Sequence, residues 1–353
     1  MSETKKRIKR FVKKHDFLFA MVNLVRNRKN KSFLKMCVDS SMNVRINPSQ
    51  GNIGKPAICY IDDRLYCGLF WYLRLVLEAV YFCDNMGFVP QILWSKSIYQ
   101  DEKIEKTSNP FEYYFCQPYP MTEEELKIRP VITYSPGNQG LARDMIGDDE
   151  SIYAGNNQYI NSLASIAKIA LQYNSETRGV IETFIETHRI NDDTLGIHAR
   201  GTDFRKKHDY HPVFIETEEY YEYIDFALRE FGFSKIYLAT DDQNILNGFL
   251  SHYPQIEIIY SKDVHRGEGD EGIHTKAYED SAYSPFKEGL NALCDMAALA
   301  RCGGLISGVS NLPLIARVVS ESEKRNYKYD KVIDKGLYGR GINPAKLNFT
   351  RSK

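Results

Sequence analysis

Leu-Gly-Ile-His-Ala-Arg-Gly-Thr-Asp, residues 195–203, passes from an apolar run into a cluster of polar and small residues. The part over 195–200 reads as a strand, and its polar end is where a parallel α/β sheet places ligands. Working outward, strands and helices alternate. A helix runs over 217–231, capped by Thr217 with Glu218 and Glu219 in its first turn. A strand at 235–240, a helix at 244–253, a strand at 256–260, a helix at 286–301, a strand at 304–309 and a helix at 312–320 follow. That rhythm predicts a parallel sheet covered by helices. The first half repeats it once: a strand at 57–61, a helix marked by Leu69, Leu73, Val76, Leu77 and Val80, and a strand at 89–94. Residues 95–150 are proline-rich and irregular, and 161–172 reads as a helix between the halves.

The fold class expected is therefore α/β, with two Rossmann-like domains facing a cleft. The boundaries are a basic helical segment over 1–45, an N-terminal α/β domain over 46–175, a C-terminal Rossmann-like domain over 176–325 and a tail over 326–353. The length of 353 residues suits two domains at about 150 residues each.

Composition narrows the class. Apolar residues make up 43% and charged residues 26%, which excludes a disordered or fibrous chain. Lys+Arg and Asp+Glu both number 46, without the basic excess of a dedicated nucleic-acid binder. The apolar stretch from Cys67 to Cys83 is interrupted by Arg74 and Glu78, so it reads as a buried helix, not a membrane span. The seven cysteines, Cys37, Cys59, Cys67, Cys83, Cys116, Cys294 and Cys302, are odd in number and lack a CxxC. They read as reduced thiols in a cytoplasmic protein.

Charge is concentrated at the start. Lys5, Lys6, Arg7, Lys9, Arg10, Lys13 and Lys14 precede an apolar run over 17–25, and Arg26, Arg28, Lys29 and Lys31 follow it. The apolar residues fall near a helical period. Residues 5–31 thus suit peripheral contact with an anionic membrane, on its inner face, or packing on the protein with the basic face solvated.

Polar clusters close the predicted strands. His198 and Arg200 share a strand face, Gly201 allows close backbone approach, and Asp203 follows. Arg200 offers a planar fork for phosphate oxygens, or forms a surface ion pair. Asp241 and Asp242 end the next strand, either as ligand-ordering groups or as a helix cap. Ser310 and Asn311 precede or open the last helix, either as an anion site or as a cap. Asp295 lies in an apolar helix, where a carboxylate needs a partner: it faces solvent or forms an internal salt bridge, or it meets the N–H edge of a nucleobase. His265 and His274 sit in an acidic, glycine-containing loop over 262–285 that reads as a mobile lid better than as a metal site.

His-Ala-Arg-Gly-Thr-Asp at 198–203, Ile-Tyr-Leu-Ala-Thr-Asp-Asp at 236–242, Asp295 and Ser-Gly-Val-Ser-Asn at 307–311 resemble the motifs of GDP-fucose-dependent fucosyltransferases. The α-1,6 and nodulation-type branch is the nearest in pattern, with protein O-fucosyltransferases as wider relatives. Gly272-Ile273-His274, Tyr278-Glu279-Asp280 and Tyr66-Cys67-Gly68 are similar to loops of that branch. The resemblance implies the GT-B glycosyltransferase fold and an inverting, metal-independent transfer of fucose from GDP-fucose to a glycan, such as a bacterial surface polysaccharide. No cofactor or metal is implied, and the partners are a nucleotide-sugar donor and a glycan acceptor. Arg200 would then bind the diphosphate, His198 and Asp295 would meet guanine, and Ser310 and Asn311 would bind phosphate. Asp241 and Asp242 would order the loops beneath. His208 and Asp209 are the candidates for the catalytic base. The branch has two adjacent arginines where this chain has Arg200 then Gly201, which leaves the linkage open. Two further readings stand beside this one: a transferase of the same fold using GDP-mannose or another nucleotide sugar, and a non-catalytic nucleotide- or glycan-binding module.

Overall fold

The structure is a computed structural model. It describes residues 21, 22, 25, 56–63, 68–94, 97–127, 129, 131–134, 139–147, 157–201, 205, 211–267 and 284–338. Among these, two parallel sheets are present, in the two-domain, Rossmann-like α/β arrangement expected.

The first sheet is built from β1 (Ile58–Asp63), β2 (Val89–Trp94) and β3 (Val131–Tyr134), in the order β2-β1-β3. Helix α1 (Leu69–Met86) crosses from β1 to β2. It is apolar on nearly every side, and it ends on Gly87, whose φ of 70° is the left-handed cap conformation that glycine adopts without strain. Short helices α2 (Glu123–Lys127) and α3 (Gln139–Ile146) flank β3, and α4 (Asn157–Ala170) and α5 (Ser175–Thr187) lead into the second half.

The second sheet contains β4 (Thr194–His198), β5 (Lys235–Ala239), β6 (Glu257–Ile259), β7 (Gly304–Gly308) and β8 (Tyr329–Ile333), in the order β6-β5-β4-β7-β8. Helices α6 (Glu218–Phe231), α7 (Gln243–His252), α8 (Pro285–Arg301) and α9 (Asn311–Ser322) cover it. The alternation along β4 explains the layering. Leu195 and Ile197 join Ile224, Ala227 and Phe249 of α6 and α7 in one core. On the other face, a Cβ at Gly196 would lie 2.9 Å from Leu299 of α8, so that strand and helix meet without a side chain between them.

Three details differ from expectation. β8 adds an edge strand within the stretch read as a tail, and its side chains are mostly half-buried, so its apolar signal is weak. Helix α5 was not expected, because its exposed charged residues dilute its apolar stripe. Thr217 precedes α6 but makes no side-chain cap bond, since its backbone is already helical; the Glu219 carboxylate accepts from Glu216 N instead, at 2.8 Å. Of the cysteines described, Cys59, Cys83, Cys294 and Cys302 are buried free thiols and Cys116 is partly exposed and free.

The halves are not joined by a thin linker. One apolar core contains Ile61 and Leu73 of the first half, Leu163 of α4, and Leu305 and Ile315 of the second. α9 lies against α4, α1 and α8. Within this layer, buried Glu78 of α1 accepts from Arg143 Nε at 2.8 Å and from the Tyr159 hydroxyl at 2.5 Å. Removing one member of a buried charge group strands the others at a cost of about 3–5 kcal/mol. Glu78→Ala is therefore expected to lose about 3–5 kcal/mol in urea denaturation, whereas Glu176→Ala, which removes the exposed pair with Lys106, loses under about 1 kcal/mol. Equal losses for the two would show that the buried group does not hold the helical layer.

Candidate functional site

The chain builds β4, β5 and β6 outward in one direction, then returns to place β7 and β8 on the other side of β4. The strand order reverses between β4 and β7, and ligands of open parallel sheets bind in the crevice at such a point. A small hollow opens there, with room for about one water. His198 and Arg200 line it from the end of β4, and Gly308, Val309 and Ser310 from the end of β7. Tyr220 and the 212–215 segment complete the wall.

His198 is 5% exposed, and among the described residues its buried Nδ1 has no hydrogen-bond partner. Burial, then the nearby Arg200 and Arg317 guanidiniums, push its pKa down to about 3. It is a neutral ring at physiological pH, with one nitrogen able to donate and the other to accept. A buried, unsatisfied polar atom in a cleft costs stability and requires an explanation. A ligand in the hollow supplies one.

Arg200 is partly exposed, with Nε 4.0 Å from Asp241 Oδ2. Asp241 also accepts from Gly201 N at 2.8 Å, which turns the chain leaving β4 over the end of β5. A Cβ on Gly201 would lie 2.3 Å from Asp242 Cβ, so no other residue fits there. Asp242 serves as a helix cap. Its Oδ1 accepts from Asn244 N and Ile245 N at 2.8 and 3.2 Å, and its Oδ2 accepts from Arg205 Nη2 at 2.9 Å. Arg205 also lies over the Phe214 ring, 4.8 Å from its centroid.

Ser310 behaves differently from Asp242. It occupies the N-cap position of α9 but makes no side-chain cap bond, and it lines the hollow; Pro313, in the first turn, has no N–H, so Asn311 and Leu312 carry the N–H groups that open the helix. Asn311 is engaged across the halves: its Oδ1 accepts from Arg74 Nη1 at 3.0 Å.

Asp295 does not line the hollow. It is 8% exposed on α8, and its Oδ1 accepts from the Tyr237 hydroxyl at 2.5 Å. Burial pushes its pKa up to about 6, a rise that the Tyr237 hydrogen bond and the charge of Arg266 partly offset. Its partner is thus a neutral hydroxyl, where the sequence left open a salt bridge or an exposed helix face; the place of Tyr237 in the β5 alternation carried no signal of its role. Arg266 belongs to the segment after β6, which runs back to the end of β5: Gly267 N donates to Asp241 O and Gly267 O accepts from Gln243 N, each at 3.0 Å. His265 pairs with Glu288 of α8 at 2.6 Å, and among the described residues no three His, Cys, Asp or Glu side chains converge as a metal site would.

Asp203, His208, Asp209 and His274 lie outside the described residues. The segment after the 206–210 stretch is anchored by Val213 N to Gly336 O at 2.9 Å and Phe214 N to the Tyr338 hydroxyl at 3.1 Å.

This sequence matches no protein-family model and no curated protein. Solved structures do match. The fucosyltransferase NodZ from Bradyrhizobium is 16% identical, over 75% of this chain and 92% of its own, with a TM-score of 0.43. NodZ α-1,6-fucosyltransferase soaked with GDP-fucose is 18% identical, over 75% and 93%, with a TM-score of 0.45. POFUT1 in complex with GDP is 11% identical, over 78% and 98%, with a TM-score of 0.45. At these TM-scores and identities the likenesses carry no argument about this chain, whose reading rests on its own residues.

Asp295 yields a pH test. With a folded pKa raised to about 6, the carboxyl favours the folded state while protonated, below about pH 4, and that contribution is lost as pH rises through 6. Asp295→Asn keeps an acceptor for Tyr237 and removes the buried charge. It is expected to flatten the stability profile between about pH 4 and 6 and to gain about 3 kcal/mol at pH 7 relative to the parent. Parallel urea-denaturation profiles for the two proteins would refute the assignment.

Proposed function

We propose that this chain is an inverting glycosyltransferase of GT-B type that transfers fucose from GDP-fucose to a glycan hydroxyl. The observation that carries the nucleotide-diphosphate part is the hollow at the strand reversal. It joins a guanidinium, a neutral histidine whose buried nitrogen is unsatisfied among the described residues, and a helix N-terminus whose cap hydroxyl is free of the helix. Helix N-termini and arginine forks are suited to phosphate oxygens. Guanine and fucose come from the motif resemblance.

In the proposed reaction the acceptor oxygen attacks the anomeric carbon of the sugar. The bond from that carbon to the diphosphate oxygen breaks, and GDP leaves with the electron pair. Positive charge grows on the sugar and negative charge on the diphosphate. Arg200, Ser310 and the N–H groups opening α9 neutralise the latter, and stabilisation of developing charge by fixed donors is the largest common term in such rates. The acceptor proton goes to a base, for which His208 and Asp209 are the candidates. Asp241 holds Gly201 and faces Arg200, which keeps the guanidinium at the rim. The second oxygen of Asp295 is assigned to the guanine N–H edge. The glycan is assigned to a bacterial surface polysaccharide, with residues 5–31 lying on the inner, anionic membrane face. Met21 and Val25, one helical turn apart, are both exposed, as that placement needs. No helix among the described residues is long and apolar enough to cross a membrane.

GDP is expected to raise the melting temperature and UDP to raise it much less, because a ligand that binds only the folded state stabilises it by mass action. Equal shifts would remove the guanine assignment. Arg200→Ala is expected to slow GDP release from GDP-fucose by about 10²–10³-fold, with the same rates in EDTA. Faster release from GDP-mannose would reassign the sugar. No release from any nucleotide sugar, with GDP still bound, would indicate a binding module instead.

A further inference from the structure

Between Leu69 and Cys83, helix α1 is apolar except for Arg74 and Glu78, which stand one turn apart and are both buried. Glu78 is held closely by Arg143 and Tyr159, whereas Arg74 Nε is 3.9 Å from it. Arg74 reaches further, and its Nη1 donates to Asn311 Oδ1 at 3.0 Å. That bond leaves the first half and ends on the first residue of α9, next to Ser310 at the hollow. As a staple between halves, a guanidinium is a poor choice there. The N-terminus of a helix carries positive dipole charge, so a cation beside it is opposed. A buried ion pair is also often no more stabilising than apolar residues of similar volume. The arrangement gains a reason if an anion occupies the same helix end, because guanidinium and helix dipole then act on it together.

We propose that Arg74 is a positioning residue for the diphosphate. From the opposite half it orients Asn311, and with it the first turn of α9, and it adds positive potential where Ser310 and the α9 N–H groups meet phosphate. This rests on the donor reading above and extends it to a residue of the first domain. The diphosphate site is thus assembled from both halves, although every group lining the hollow comes from the second.

The test is isothermal calorimetry on the full chain, with GDP and guanosine as ligands. The variants are Arg74→Met, Asn311→Ala, their double variant and Arg74→Lys. Each of the first two is expected to weaken GDP by about tenfold, the worth of one charge-assisted hydrogen bond. Guanosine, which has no phosphate, is expected to bind as in the parent. The double variant is expected to lose no more than the weaker single, and Arg74→Lys to recover part of the affinity by restoring charge. Unchanged GDP affinity in either single variant, an equal loss for guanosine, or multiplied losses in the double variant would overturn the proposal. Should Arg74→Met fail to fold, Asn311→Ala decides alone. Absence of GDP binding by the parent removes the donor reading and this proposal with it, whereas parental binding with insensitive variants removes this proposal only.

Discussion

A guanidinium from the first half meets the first residue of the last long helix of the second, through the bond from Arg74 to Asn311. The strand order reverses beside it, and the hollow opens next to it. Because α9 packs against α4, α1 and α8 along its length, its N-terminus cannot shift without disturbing both halves. The position of the α9 N–H groups at the mouth of the second sheet is therefore a property of the whole molecule.

Two buried titratable groups of the second half, His198 and Asp295, bear on stability in opposite ways. His198 keeps a buried nitrogen without a partner among the described residues, and Asp295 keeps a carboxyl that burial pushes up to about 6. Their effects oppose each other along the pH axis. The histidine disfavours the fold as it gains a proton in acid, and the aspartate disfavours it as it loses one near neutrality. Neither residue improves the packing it interrupts. His198 closes β4, and Asp295 lies on α8 against the middle of β5.

Much of the second half was legible in its residues. The strands at 194–198, 235–239 and 304–308 carry near-continuous apolar runs, as strands buried on both faces do, and each ends abruptly in polar residues. Gly201 was read as letting a ligand approach the backbone, and the group that a Cβ there would meet is the Asp242 side chain. The sequence left Asp241, Asp242, Ser310 and Asn311 open between capping and binding, because a cap and an anion site use the same residue types at the same position. The structure separates them: Asp242 caps α7, Ser310 does not cap α9, and Asn311 bonds across the halves. Arg74 and Glu78 were visible only as charges breaking an apolar helix. Their partners Arg143, Tyr159 and Asn311 are 65, 81 and 237 residues away along the chain, and no local pattern reports such distances. β8 and α5 escaped for a simpler reason, since half-exposed elements dilute the periodicity that marks them.

The central claim is that the edge between β4 and α9 holds a diphosphate. The most direct measurement is a crystal structure of the chain grown with GDP. The account requires both phosphates between the Arg200 guanidinium and Ser310, with His198 Nδ1 no longer without a partner. GDP bound elsewhere, or bound with Arg200 and Ser310 both out of reach of its phosphates, would contradict it.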